Sequence, residues 1–156
     1  MSWLVRKACS FAHRSAFEQA WFLPCWVLLG ICRLAILVIP FRHFAPCLGM
    51  PMGTAAWLAL VGLDGEAQAL SIARIIGMAS RYTPWKSNCF PQALAAGILL
   101  KLYGIPYSLF FGIENKSGTL RAAHAWVFAG KVPVTGGDSF GKFTVVGCFV
   151  SPSRSL

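Results

Sequence analysis

The spacing of hydrophobic residues along this chain changes near residue 105. Before that point, apolar residues recur every three or four positions, which is the spacing of one helix face. After it, short apolar and aromatic runs are separated by glycine-containing turns, which is the pattern of antiparallel strands. Helices followed by strands in this order predict an α+β fold in one compact domain.

The helical part divides into several predicted segments. They are an amphipathic helix over 1–20, an apolar helix over 21–40, a connector over 41–53, a short apolar helix around 54–61, and a helix that Asp64 caps. The strands are predicted at 107–114, 120–129, 132–134 and 143–150, as an antiparallel meander. We therefore expect an N-terminal helical region over 1–80, a core over 81–150 and a tail over 151–156.

The segment RYTPWKSNCFPQALAAGILLKLYG predicts a loop that becomes a helix near Cys89. Pro91 fits only a first helical turn, and Gly104 is a natural residue just past a helix end. A thiol in the first turn lies beside unpaired backbone N–H groups and the positive end of the helix dipole, which favour the reactive thiolate. A buried, structural cysteine is equally compatible with this position.

A histidine and an acid follow the thiol in the strand region. Strand alternation places His124 on one face with Trp126 and Phe128, and Asp138 follows two glycines. A Cys89–His124–Asp138 set would form if the last strands packed over the start of the helix. A strand histidine and an acid after Gly-Gly are also ordinary structural features, so spacing alone leaves both interpretations open.

Composition narrows the function classes. The chain is 56% hydrophobic and only 12% charged, with a net charge of +9 that is spread thinly rather than clustered. Nucleic-acid binding therefore has only net charge in its favour. The six cysteines form no CxxC pair and no grouping with the three histidines, so we expect no metal site and reduced thiols in a cytoplasmic protein.

The segment 21–40 is the most apolar part of the chain. Only 15 residues separate Pro24 from Pro40, with Arg33 between them, which is short and costly for a bilayer span. No small-residue cleavage site of a signal peptide follows. We expect a buried or partner-facing helix, with membrane association through 21–40 as the alternative.

Four motifs in order resemble the transglutaminase-like cysteine peptidases of lasso-peptide biosynthesis. They are R-x-T-P-W-x-x-x-C, G-I-P, A-H-A-W-V and V-x-G-G-D, between Arg81 and about Phe149. The resemblance implies a papain/transglutaminase-like core, with a cysteine-bearing helix packed on an antiparallel sheet. It implies a catalytic set at Cys89, His124 and Asp138. In that family the last position varies between Asp and Glu. A polar group near His124 is an alternative to Asp138 as the partner that orients the imidazole.

The implied reaction is removal of the leader from a ribosomally made precursor peptide, without a cofactor. The implied partners are the precursor, a separate leader-binding winged-helix protein and an ATP-dependent cyclase. The Cys89 backbone N–H is expected to bind the oxyanion, with the Trp85 indole and the Asn88 side chain as candidate second donors. Two alternatives remain open: a transglutaminase-like acyltransferase, and a non-catalytic, membrane-associated assembly protein.

Overall fold

The computed structural model describes residues 15–116, 119–137 and 139–152. Within these ranges the chain forms four helices and five strands. The helices are α1 (Ala16–Val38), α2 (Phe41–Leu48), α3 (Leu63–Ser80) and α4 (Cys89–Leu102). The strands are β1 (Met50–Pro51), β2 (Tyr107–Lys116), β3 (Thr119–Ala129), β4 (Val132–Thr135) and β5 (Thr144–Ser151). The α+β prediction is confirmed.

The strands form one antiparallel sheet in the order β1-β5-β2-β3-β4. β2, β3 and β4 follow one another as predicted, but β5 returns to pair with β2 instead of extending the sheet from β4. The expectation of a simple meander was therefore wrong. β5 provides hydrogen-bond partners for the second edge of β2, which would otherwise expose a row of unpaired backbone groups.

α1 crosses the boundary between residues 20 and 21 at which the sequence predicted one helix to end and another to begin. The Ser15 hydroxyl accepts a hydrogen bond from the Glu18 N–H at 3.2 Å and caps it. The helix continues through Pro24, which removes the donor that the Ala20 carbonyl would otherwise have. Ala20 and Pro24 are both exposed, so water can satisfy that carbonyl. Residues 1–14, the rest of the first predicted helix, lie outside the described residues.

The connections around α2 also differ from the prediction. Residues 41–48 form α2 where we expected an irregular connector. The two prolines of this region do not prevent the helix, since Pro40 lies at its cap and Pro46 lies within it. Residues 54–61 form no helix. Their backbone bonds to the sheet instead: the Ala59 N–H donates to the Ser108 hydroxyl at 2.9 Å. α3 begins after Gly62, so Asp64 lies in the first turn rather than at the cap.

The helices cover one face of the sheet. The main core joins residues of α1, α3 and α4 to the sheet residues Leu109, Ala125 and Val127. A second, smaller cluster on the other face contains Phe110, Trp126, Phe128 and Cys148. The α4 helix thus packs on an antiparallel sheet, as the resemblance implied.

Candidate active site

Cys89 is the first residue of α4, as the sequence predicted. Asn88 occupies the cap position, and Pro91 lies in the first turn, where its missing N–H costs no hydrogen bond. The Cys89 side chain is half-buried and forms no disulfide. The thiol therefore lies at the positive end of the α4 dipole, with partial access to solvent.

The loop before Cys89 is held by the hydroxyl of Thr83. Its Oγ1 lies 3.0 Å from the Ser80 carbonyl oxygen, 3.1 Å from the Trp85 carbonyl oxygen and 2.9 Å from the Ser87 hydroxyl. The Gln92 side chain donates to the Ser87 carbonyl at 2.7 Å, which joins the loop to the first turn of α4. These bonds fix the backbone that enters Cys89 without using any polar group of Cys89 itself.

Trp85 connects the same loop to α1. Its ring lies 4.7 Å from that of Trp26, and a β-carbon placed on Gly30 would come within 2.8 Å of its Cζ2 atom. The Trp26 indole donates to the Tyr82 carbonyl at 3.1 Å. The inner face of α1 thus positions the loop from Tyr82 to Trp85, immediately before the thiol.

The residue after the thiol anchors the start of α4 to the sheet. The Phe90 ring lies 5.3 Å from Phe111 of β2, and it also contacts Phe41 and Phe44 of α2. Phe111 is paired with Ala125 of β3. The first turn of α4 therefore lies at the level of the sheet where His124 is found.

His124 lies opposite Gly112 of β2, and its ring is stacked on two aromatic side chains. The ring centroids are 4.9 Å from Phe143 and 5.8 Å from Trp126. Its Nε2 atom lies 3.4 Å from the Gly136 carbonyl oxygen. A carbonyl only accepts, so in a neutral ring this contact requires the proton on Nε2 and leaves Nδ1 as the acceptor. The tautomer that this contact favours has its basic nitrogen on the other side of the ring.

The pairing of Cys89 with His124 stays a prediction. His124 shares its sheet face with Trp126, which belongs to the smaller cluster, whereas α4 packs on the opposite face with Ala125 and Val127. Among the described residues, the hydrogen bonds of His124 do not include one to the Cys89 sulfur. His124 therefore lies on the face of β3 opposite to the one that α4 covers.

Asp138 lies outside the described residues, so its relation to His124 remains a prediction. The bend that precedes it is described. Gly136 and Gly137 have φ angles of 78° and 62°, a region that favours glycine. A β-carbon on Gly136 would come within 2.5 Å of the Trp126 Cβ and 3.0 Å of the His124 Nε2. The bend therefore lies against the imidazole at its Nε2 atom.

A family model described as the transglutaminase-like superfamily matches residues 35–148 of this chain. The match covers well over half of the sequence and includes Cys89 and His124. The chain belongs to the transglutaminase-like superfamily. Searches of curated proteins and of solved structures found no match. Proteins of this superfamily are in general cysteine peptidases or acyltransferases, and the match begins within α1, so it includes α2 and α3 as well as the strand region.

The two candidate oxyanion donors of this superfamily member lie in different surroundings. The Trp85 indole nitrogen is buried and has no hydrogen-bond partner, while its ring packs against α1. Asn88 is exposed, and its side chain makes no capping bond, so its amide is free to turn toward a ligand beside Cys89. In the described part of the chain, no group of three histidine, cysteine or acidic side chains is placed to hold a metal ion.

Sequence reasoning missed the residues that hold His124. Phe143 stacks on the imidazole, and the Gly136 carbonyl contacts its nitrogen. Ser139 is buried and donates to the same carbonyl at 2.8 Å. Only the double glycine was visible as a signal in the sequence, because a tight bend of positive φ requires it. The aromatic stacking partner comes from a later part of the chain and has no local signature.

Proposed function

We propose that this protein is a cysteine peptidase that removes the leader from a ribosomally made precursor peptide in lasso-peptide biosynthesis. The observation that carries the proposal is the half-buried Cys89 at the start of α4, within a region that matches the transglutaminase-like superfamily. The R-x-T-P-W loop before it and the A-H-A-W-V strand supply the more specific resemblance.

In the proposed reaction, His124 takes the proton of the Cys89 thiol. The thiolate adds to the carbonyl carbon of the leader–core amide, and the C–N bond breaks as His124 gives its proton to the departing amine of the core peptide. The leader is then held as a thioester. Water, deprotonated by His124, hydrolyses it and restores the thiol. Asp138 orients the imidazole, and backbone N–H of Cys89 with Asn88 or Trp85 binds the oxyanion.

This mechanism requires a rearrangement around His124. In the proposal, the imidazole leaves its stack on Phe143 and Trp126 and approaches the Cys89 sulfur. Catalytic hydrogen bonds often tighten only in the substrate complex. In the proposal, binding of the precursor and of a separate leader-binding winged-helix protein supplies the free energy for this change. The released core peptide passes to an ATP-dependent cyclase.

The lack of a hydrogen bond between Cys89 and His124 favours a second candidate, a non-catalytic assembly protein whose Cys89 is a structural thiol. Membership of the superfamily also leaves acyl transfer open, in which an amine rather than water captures the acyl-cysteine. The three functions give different products. Hydrolysis releases free leader, transfer produces a new amide, and the non-catalytic protein leaves the precursor intact.

The test is leader removal by the Cys89→Ala variant, followed by mass spectrometry in the presence of the leader-binding protein. We expect at least about a 10³-fold loss of cleavage rate, because no other group replaces the nucleophile. Cys47→Ala is the matched control, since Cys47 is an exposed free thiol on α2. It should cleave at the wild-type rate. Cleavage that persists in Cys89→Ala refutes the nucleophile, and inert wild-type protein supports the assembly role.

A further inference from the structure

One face of α1 is exposed and carries only aliphatic side chains. We name it the outer stripe, and its members recur at helical spacing: Ala16, Ala20, Leu23, Val27, Ile31, Leu34 and Val38. The five larger members are between 45% and 70% exposed. At 1.5 Å per residue, the stripe extends for about 33 Å. A continuous apolar surface of this length on a monomer marks a site of contact.

The opposite face of α1 is fixed in the protein core. Cys25, Leu29 and Cys32 are buried, and Gly30 lies against the Trp85 ring. By length and composition, α1 is the one helix among the described residues that would suffice to cross a membrane. Crossing would remove its inner face from α3 and α4 and break the core. The stripe can therefore meet a bilayer only with the helix axis parallel to the surface.

The charge around the stripe is positive. No acidic residue occurs between positions 19 and 63, and Glu18 is buried beside Arg74. Two basic residues of the described chain belong to this stretch of sequence, Arg33 within α1 and Arg42 on α2. Together with the net charge of +9, this arrangement is complementary to an anionic surface.

The chemistry of the stripe favours lipid over a protein partner. Protein interfaces concentrate their binding energy in tryptophan, tyrosine and arginine, and the stripe has none of these residues. It also lacks any side chain that forms hydrogen bonds. Acyl chains require neither directionality nor pockets, so a long aliphatic stripe with flanking cations fits the interface of a bilayer.

We propose that the outer stripe of α1 lies in the headgroup–acyl boundary of an anionic membrane, with the helix parallel to the surface. The proposal is independent of the peptidase reaction. The inner face of α1 holds Trp26 and Gly30 against the Trp85 loop, so the same helix joins the membrane contact to the segment that precedes Cys89.

The experiment is flotation of the full chain with vesicles of phosphatidylcholine containing 30% phosphatidylglycerol, compared with phosphatidylcholine alone. We expect binding to the anionic vesicles that falls at least tenfold when salt is raised from low to high concentration. The variant Val27→Gln, Ile31→Gln, Leu34→Gln should lose at least tenfold in vesicle binding, since glutamine keeps the helix but removes the apolar surface. Circular dichroism checks that the helix persists.

The matched control changes three exposed leucines outside the stripe, Leu58→Gln, Leu60→Gln and Leu63→Gln. It should bind anionic vesicles within twofold of the wild type. An equal loss of vesicle binding in both triple variants overturns the assignment of the stripe to the membrane. Equal binding of the wild type to neutral and to anionic vesicles overturns it as well. Protein that resists alkaline carbonate extraction also overturns it, because an in-plane helix is released. A wild-type dimer that the stripe variant converts to monomer, with no vesicle binding, identifies a protein interface instead.

Discussion

The contact between Gly30 and Trp85 allows a sharp prediction. Gly30 lies within α1, and Gly→Ala inside a helix ordinarily stabilises a protein by about 1 kcal/mol, since alanine loses less backbone entropy on folding. Here the new β-carbon would come within 2.8 Å of the Trp85 Cζ2 and 3.2 Å of its Cη2. The ring cannot simply move away, because Trp26 lies against it at 4.7 Å.

The magnitude follows from the balance of these two effects. Inserting a methyl group into a packed site costs about 1–3 kcal/mol. Gly30→Ala should therefore change the free energy of unfolding by between about 0 and −2 kcal/mol, instead of raising it. Gly77→Ala is the matched control, because Gly77 lies within α3 and a β-carbon there meets no atom within 4 Å. That variant should be about 1 kcal/mol more stable.

The assay is equilibrium denaturation in urea, with the unfolding free energies of the two variants compared at equal slope. A second cycle isolates the contact: in a Trp85→Leu background, Gly30→Ala should become stabilising, since the clashing ring is gone. If Gly30→Ala stabilises the wild type as much as Gly77→Ala does, Trp85 does not pack against α1. The positioning of the loop before Cys89 by α1 would then be refuted.

Two further predictions concern buried groups. Burial, with a smaller contribution from Cys32, raises the pKa of Cys25 from 9.0 to about 12. Between these two values only the thiol of the unfolded chain ionises, so the free energy of unfolding falls by about 1.4 kcal/mol per pH unit above pH 9. Urea midpoints between pH 8 and 10.5 should fall less steeply in Cys25→Ala; an unchanged slope contradicts this. Tyr107→Phe removes the 2.9 Å bond to the Leu48 carbonyl and should cost about 1–2 kcal/mol by urea denaturation, whereas Tyr103→Phe, with its partly exposed ring, should be neutral.

Local signals in the sequence predicted the C-terminal elements well. α4 begins at Cys89 and its last residue is Leu102, because Pro91 restricts the first turn and Gly104, with a φ of 67°, ends the helix. The N-terminal half was predicted less well. Pro24 was treated as a boundary, although α1 continues through it at an exposed position, where water can satisfy the carbonyl that it leaves unpaired. Residues 54–61 looked helical by hydrophobicity, but they form no helix, and Trp57 and Ala59 hydrogen-bond to a distant part of the sheet.

The sequence by itself determined that Cys89 starts a helix and that His124 shares a strand face with Trp126. Only the tertiary structure decided which strand face the helices cover. α4 packs against Ala125 and Val127, while Trp126 and Phe143 belong to the cluster on the other face. The His124 ring lies on the same face as these two rings. Alternation along one strand carries no information about the partner layer, because that choice depends on side-chain volumes contributed by distant segments.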